Sequence, residues 1–138
     1  MASEPTFSFL GGLPLAAAAL RYARDVHRDQ RRASDEAPFI LHPLEVASLL
    51  LNTGHSEAVV AAGILHDTIE NATTDREDLI VRFGDEVAAV VSALTEDPRI
   101  EDFEERKASL RAQIAAFGSD AIAVDAADKV AKVRELRA

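Results

Sequence analysis

The sequence has no cysteine. Neither a disulfide nor a thiolate metal site can therefore form, and any metal would have to rest on imidazole and carboxylate groups. Positive charge is also scarce: 15 lysines and arginines stand against 24 acids, giving a net charge of −9. That balance argues against nucleic acid or an anionic membrane as the main partner. Aromatic residues make up only 5% of the chain, and strict apolar–polar alternation over a strand length is hard to find. No segment is long and apolar enough to span a bilayer. What remains is 48% hydrophobic and 28% charged, dominated by alanine, leucine and valine, a mixture that favours helix over sheet.

At 138 residues the chain is long enough for one core and too short for two domains, so one domain over 1–138 is expected. The stretch Phe7 to Leu20 resembles the apolar part of a signal peptide. The residues before it contain Glu4 and no base, and Gly11, Gly12 and Pro14 interrupt it. It reads as a loop leading into a helix, with a cytoplasmic location as the default. An acidic protein that handled phosphates would need a cation, or local basic side chains, to reverse the field in its site.

Apolar residues recur at helical spacing in most segments, which predicts an all-α bundle of six or seven helices. The first should open near Pro14 and run to about Arg32. Pro43 opens a second, its ring keeping His42 extended, and Gly54 ends it. Ser56 caps a third, from Glu57 to about Glu70. Thr74-Asp75-Arg76-Glu77 reads as a capping box for a short helix ending at Gly84. Further helices span Asp85 to Thr95, with Pro98 as a break, and Asp102 to Phe117, ended by Gly118. Ser119 caps the last.

His66 and Asp67 adjoin near the end of an apolar helix. Burying a carboxylate beside an imidazole is costly unless something pairs with both, and a divalent cation does so. Neighbouring helical side chains point about a quarter-turn apart, so both can reach one ion off the helix. His42 and Asp128 are candidates for the remaining ligands. Two imidazoles and two carboxylates suit Mn²⁺ first, Fe²⁺ next, with Zn²⁺ still open. Such an ion would activate a water and steady phosphoryl oxygens.

The runs HPLEVASLL, GILHDTIENATT, FGDEVAAVVSALT and DAADKVAKVREL together resemble the RelA/SpoT-type (p)ppGpp hydrolases, especially the small stand-alone members. The resemblance extends from AAALRYARDVHRDQRR to the end of the sequence. It implies a helical HD domain binding one Mn²⁺ and removing pyrophosphate from the 3′ position of guanosine tetra- or pentaphosphate. Metal ligation is implied for His42, His66, Asp67 and Asp128. Water activation is implied for Glu70, with Asn71 beside it, base stacking for Arg32, and a basic role near the substrate for Lys129. The implied partner is a small nucleotide, and homo-oligomer formation stays open. With no synthetase segment in the sequence, hydrolysis without synthesis is expected.

Several positions depart from the family pattern. Its Glu-Asp pair is Glu70-Asn71 here, and asparagine can orient a water without taking its proton. Its lysine after the base-stacking arginine is Ala33, the lysine before the final aspartate is Asp125, and a later asparagine is Lys132. The small enzymes usually continue through another helix. Plainer roles exist for some residues. His27 suits a core position that orients a ligand, and His55 suits a solvated turn. Arg31 and Arg32 could close a helix. Asp128 could pair with Lys132 four residues on.

Overall fold

The computed structural model describes residues 10–70 and 74–137. Seven α-helices occupy them: α1 Pro14–Val26, α2 Leu41–Asn52, α3 Glu57–Leu65, α4 Arg76–Phe83, α5 Asp85–Ala93, α6 Phe103–Phe117 and α7 Ser119–Arg137. A 3₁₀ turn, Thr68–Glu70, follows α3. The only β pairing among the described residues is one antiparallel bridge between Arg31 and Pro38. No helix of these residues is long and apolar enough to cross a membrane.

The bundle is organised around α3. Every residue from Val59 to Leu65 is buried, and α1, α2, α5 and α7 all pack against this helix. A helix enclosed on all sides has no polar stripe, so its apolar content is continuous rather than periodic. Gly63 permits the closest approach: a Cβ there would lie 2.6 Å from Leu50 Cδ1 and 3.1 Å from Val46 Cγ1. The missing side chain thus lets α2 settle directly onto α3.

Both ends of α3 are fastened. At its start, Ser56 Oγ accepts the Val59 N–H (3.3 Å). Glu57 reaches across to α1, accepting the N–H groups of Leu15 (2.6 Å) and Ala16 (3.3 Å) through Oε2. No side chain of the preceding Leu13 caps α1. A distant carboxylate therefore satisfies two of its orphan donors and meets the positive end of its dipole.

The helix ends differ from expectation in instructive ways. Helix α1 stops at Val26, not near Arg32. His27 is the last inward-facing side chain, and the polar run that follows offers no apolar face to bury, which is what sustains a short helix. Arg31 and Arg32 therefore lie in a folded-back loop, where Arg32 N–H donates to Ala37 O and Phe39 N–H to Gln30 O. His42 is not extended: it is the second residue of α2. Pro43 fits there because first-turn N–H groups lack intrahelical partners, and the turn at Phe39-Ile40 already leads into the helix. Helix α3 yields to the 3₁₀ turn before Glu70, where the Thr68 hydroxyl binds Leu65 O (2.7 Å).

Asp75, not Thr74, caps α4 by accepting the Asp78 N–H (2.9 Å). Thr74 is buried and its hydroxyl is engaged by Tyr22 (3.0 Å). Helix α5 ends at Ala93, two residues before the expected Thr95. Asp102 caps α6 through the Glu105 N–H (2.9 Å). Ser119 is the first helical residue of α7 rather than its cap, and Gly118 O accepts the Ile122 N–H. Gly118 has φ 112°, a conformation costly for residues with a Cβ.

Candidate metal centre

Three elements converge on one buried point. His42 enters from the first turn of α2, His66 and Asp67 from the end of α3, and Asp128 from the middle of α7. One ligand atom from each lies within 4.8 Å of all the others. His42, His66 and Asp128 are buried, and Asp67 is partly so. Packing against the core, not local sequence, holds these donors together.

The hydrogen bonds orient them for a cation. His66 Nδ1–H donates to Gly63 O (2.7 Å), which fixes the proton on that nitrogen and turns Nε2 inward. Nε2 then lies 3.2 Å from Asp128 Oδ1 and 3.3 Å from Asp67 Oδ2. His42 Nε2 meets the same Asp128 oxygen at 2.7 Å and Asp67 Oδ2 at 3.7 Å. The second Asp128 oxygen lies 3.1 Å from Lys132 Nζ. Two imidazole nitrogens aimed at one carboxylate oxygen need protons when no cation is present, and offer lone pairs when one is. The donor set fits a divalent ion.

The charges follow from this crowding. Burial opposes protonation of His66, but Asp67 and Asp128 outweigh it and raise its pKa to about 9. Burial would raise the Asp128 pKa, yet hydrogen bonds from His42 and His66 hold it well below the carboxylate range. Glu70 is pushed up, first by burial and then by Asp67. For Lys132, burial works against the charge, and Asp128, Asp67 and Glu70 more than restore it.

A cavity of about 650 Å³ opens above the cluster. Glu70, Arg32, Lys129 and Lys132 line it, as do Gln30, Phe39, Glu96, Lys107 and Glu135, which the sequence does not single out. Phe39 lies between His27 (4.7 Å) and His42 (5.7 Å), ring centre to ring centre, tilted 53° and 50° to them. His27 is buried, bonded through Nδ1 to Gln30 Oε1 (2.8 Å), and is not in the ligand set. His55 is half-buried beside Thr53 rather than fully solvated. Asn71 lies outside the described residues.

Each basic group on the cavity wall already has a carboxylate partner. Arg32 binds Asp35 through Nε (3.0 Å) and Nη2, and lies 3.5 Å from Glu135. Lys129 binds Asp125 (2.8 Å), Lys107 binds Glu96, and Lys132 binds Asp128.

An all-helical domain with two histidines and two aspartates drawn into one buried cluster defines a class, the HD-type metal-site fold. The family model for the HD domain matches residues 19–138. Among curated proteins, a "GTP pyrophosphokinase rsh" of Brucella melitensis is 37% identical over 121 residues, covering 83% of this chain and 16% of that protein. A "probable guanosine-3′,5′-bis(diphosphate) 3′-pyrophosphohydrolase" of Synechocystis is 36% identical over 125 residues, covering 87% and 16%. The chain spans about a sixth of the length of these curated relatives.

Among solved structures, a metazoan ortholog of SpoT described as hydrolysing ppGpp superposes with a TM-score of 0.76 at 33% identity. The match covers 89% of this chain and 70% of that one. The chain belongs to the HD-domain family and is homologous to the SpoT/Rsh (p)ppGpp hydrolases.

Proposed function

We propose that this protein is a Mn²⁺-dependent hydrolase that removes pyrophosphate from the 3′ position of (p)ppGpp. The observation that carries the reading is the convergence of four donor atoms within 4.8 Å on the floor of a cavity sized for a nucleotide. The metazoan relative's described activity supports the substrate. His42, His66, Asp67 and Asp128 would hold the ion; Mn²⁺ is the first choice because it tolerates six ligands and leaves positions for water and substrate, Fe²⁺ the next, and Zn²⁺ lacks the thiolates that would select it. When bound, the ion supplies an activated water and steadies phosphoryl charge.

The remaining chemistry falls to the chain. Glu70, raised by burial, is suited to accept the proton as water attacks the phosphorus joined to the ribose 3′ oxygen. The P–O3′ bond breaks, the 3′ oxygen regains a proton, and pyrophosphate leaves with GDP or GTP. Glu70 N–H donates to Asp67 O (3.4 Å) at the entry to the 3₁₀ turn, and both side chains line the cavity, which favours a joint role on one water. Arg32 is bonded along its edge by Asp35, which suits its flat face to stacking on guanine. Lys129 is assigned to the phosphates.

The test is direct: incubate the protein with Mn²⁺ and ppGpp and resolve the nucleotides by anion exchange. GDP and pyrophosphate are expected in equal amounts. Their absence, under conditions where the metazoan relative turns over, removes this substrate. A second reading, hydrolysis of another phosphoester, draws support from Asp125, which engages Lys129 at 2.8 Å where the family pattern has a further lysine. Turnover of other phosphate esters in preference to ppGpp would favour it.

A further inference from the structure

Asp128 divides its two oxygens between two kinds of partner. Oδ1 faces the imidazoles of His42 and His66, whereas Oδ2 faces the ammonium of Lys132 at 3.1 Å. Lys132 lies one turn along α7, so the pair needs no distortion of the helix. Its side chain is 59% exposed and lines the cavity, so the ammonium looks onto the space above the ligand set.

The other cavity cations are held differently. Lys129, Lys107 and Arg32 rest on Asp125, Glu96, Asp35 and Glu135, none of which belongs to the ligand cluster. Lys132 alone among these four leans on a carboxylate that a divalent ion would claim. An ion held by Asp128 would draw on the same negative charge and repel the ammonium, because two cations close together share one counter-charge at a cost. A lysine is a compact charge on a flexible stem, free to turn to another anion when its first partner weakens. The anion at hand would be the phosphoryl group.

We propose that Lys132 is a resident cation of the metal centre: it competes with the divalent ion for Asp128, and once the ion is bound it grips the phosphoryl oxygens. The inference rests on the reading of Asp128 as a metal ligand. It makes metal uptake weaker than the four donors alone would give, and couples loading of the ion to readiness for phosphate.

The experiment compares the wild-type chain with Lys132→Met, which keeps the length of the stem, and Lys132→Arg, which keeps the charge. Manganese is titrated by calorimetry, then inorganic phosphate is titrated into the manganese-loaded proteins, with circular dichroism to establish folding. Lys132→Met should bind manganese about tenfold more tightly and phosphate about tenfold more weakly, as expected for one nearby unit charge in a partly screened site. Lys132→Arg should stay close to wild type in both.

Unchanged or weakened manganese binding in Lys132→Met overturns the competition, and unchanged phosphate binding overturns the grip. If Lys132→Met does not fold, Lys132→Gln carries the same expectations. A wild-type protein that takes up no divalent ion would sink the hydrolase reading and this one together. Uptake with equal affinity by all variants sinks this one alone.

Discussion

The floor and the rim of the cavity are built by different physics. The floor, where α2, α3 and α7 meet, is set by close packing: Gly63 lies directly under Leu50 and Val46, and the ligands hang from buried backbone. The rim is a ring of ion pairs, Arg32 with Asp35, Lys129 with Asp125 and Lys107 with Glu96. Packed positions tolerate little change, whereas ion pairs that reach solvent, as Lys129–Asp125 and Lys107–Glu96 do, contribute little stability and can be rearranged cheaply. The floor therefore suits the chemistry, and the rim suits the choice of substrate.

Substitutions can test that division, beginning where the largest effect is expected. Glu70→Gln should lower kcat by about 100- to 10,000-fold, the usual contribution of a general base, while manganese binding measured by calorimetry stays intact. Asp128→Asn should weaken manganese binding by more than about 100-fold, since loss of a mere supporting partner already costs up to that much. Elemental analysis after dialysis would show it. An Asp128→Asn protein that keeps its metal would break the assignment of the floor.

Acidity gives the next effect. In the metal-free protein the His66 pKa is raised from 6.5 to about 9, so below about 9 an ion must displace a proton. Apparent metal affinity should rise about tenfold per pH unit up to that point and then level off. The same shift stabilises the metal-free fold fully below 6.5, and that stabilisation is lost as pH climbs through about 9. Thermal melts with chelator present would follow it.

Two smaller effects separate floor from rim most sharply. Gly63→Val forces a branched side chain against Leu50 and Val46 and should cost about 1–3 kcal/mol by urea unfolding. Asp125→Asn should leave stability within about 0.5 kcal/mol and lower KM for the nucleotide by releasing Lys129. A rim substitution that unfolded the protein would erase the distinction.

The sequence exposes much of this, but not evenly. Gly54, Gly84 and Gly118 stand where helices stop and Pro98 in the break after α5, so a bundle of six or seven helices is legible. The exact ends are not: α1 ends where the polar run after His27 leaves nothing to bury, and α3 ends where the His66 ring and the Thr68 hydroxyl bond back to Gly63 O and Leu65 O, neither at a breaker. The residue before a proline is usually extended, so His42 reads as extended; the tight turn ahead of it instead places it inside α2. That His42, His66, Asp67 and Asp128 could come together is suggested by the adjacency of His66 and Asp67 and by the family resemblance. Glu96, Lys107 and Glu135 were invisible: they are ordinary charged residues in helical or loop segments, brought to the cavity by folding alone. The sequence offers Asp128 as a ligand and, alternatively, as a partner of Lys132; only the fold has its two oxygens do both.

The bridging carboxylate of Glu57 has a consequence for how this fold can change. It fastens the head of α1 to one end of α3, and the other end delivers His66. The nine residues of α3, Glu57 to Leu65, behave as a spacer of fixed length. Inserting a single residue would turn everything beyond it by about 100° and advance it by about 1.5 Å, so the clasp and the imidazole could not both keep their places. Related proteins that lengthen or shorten their chains are therefore expected to do so elsewhere.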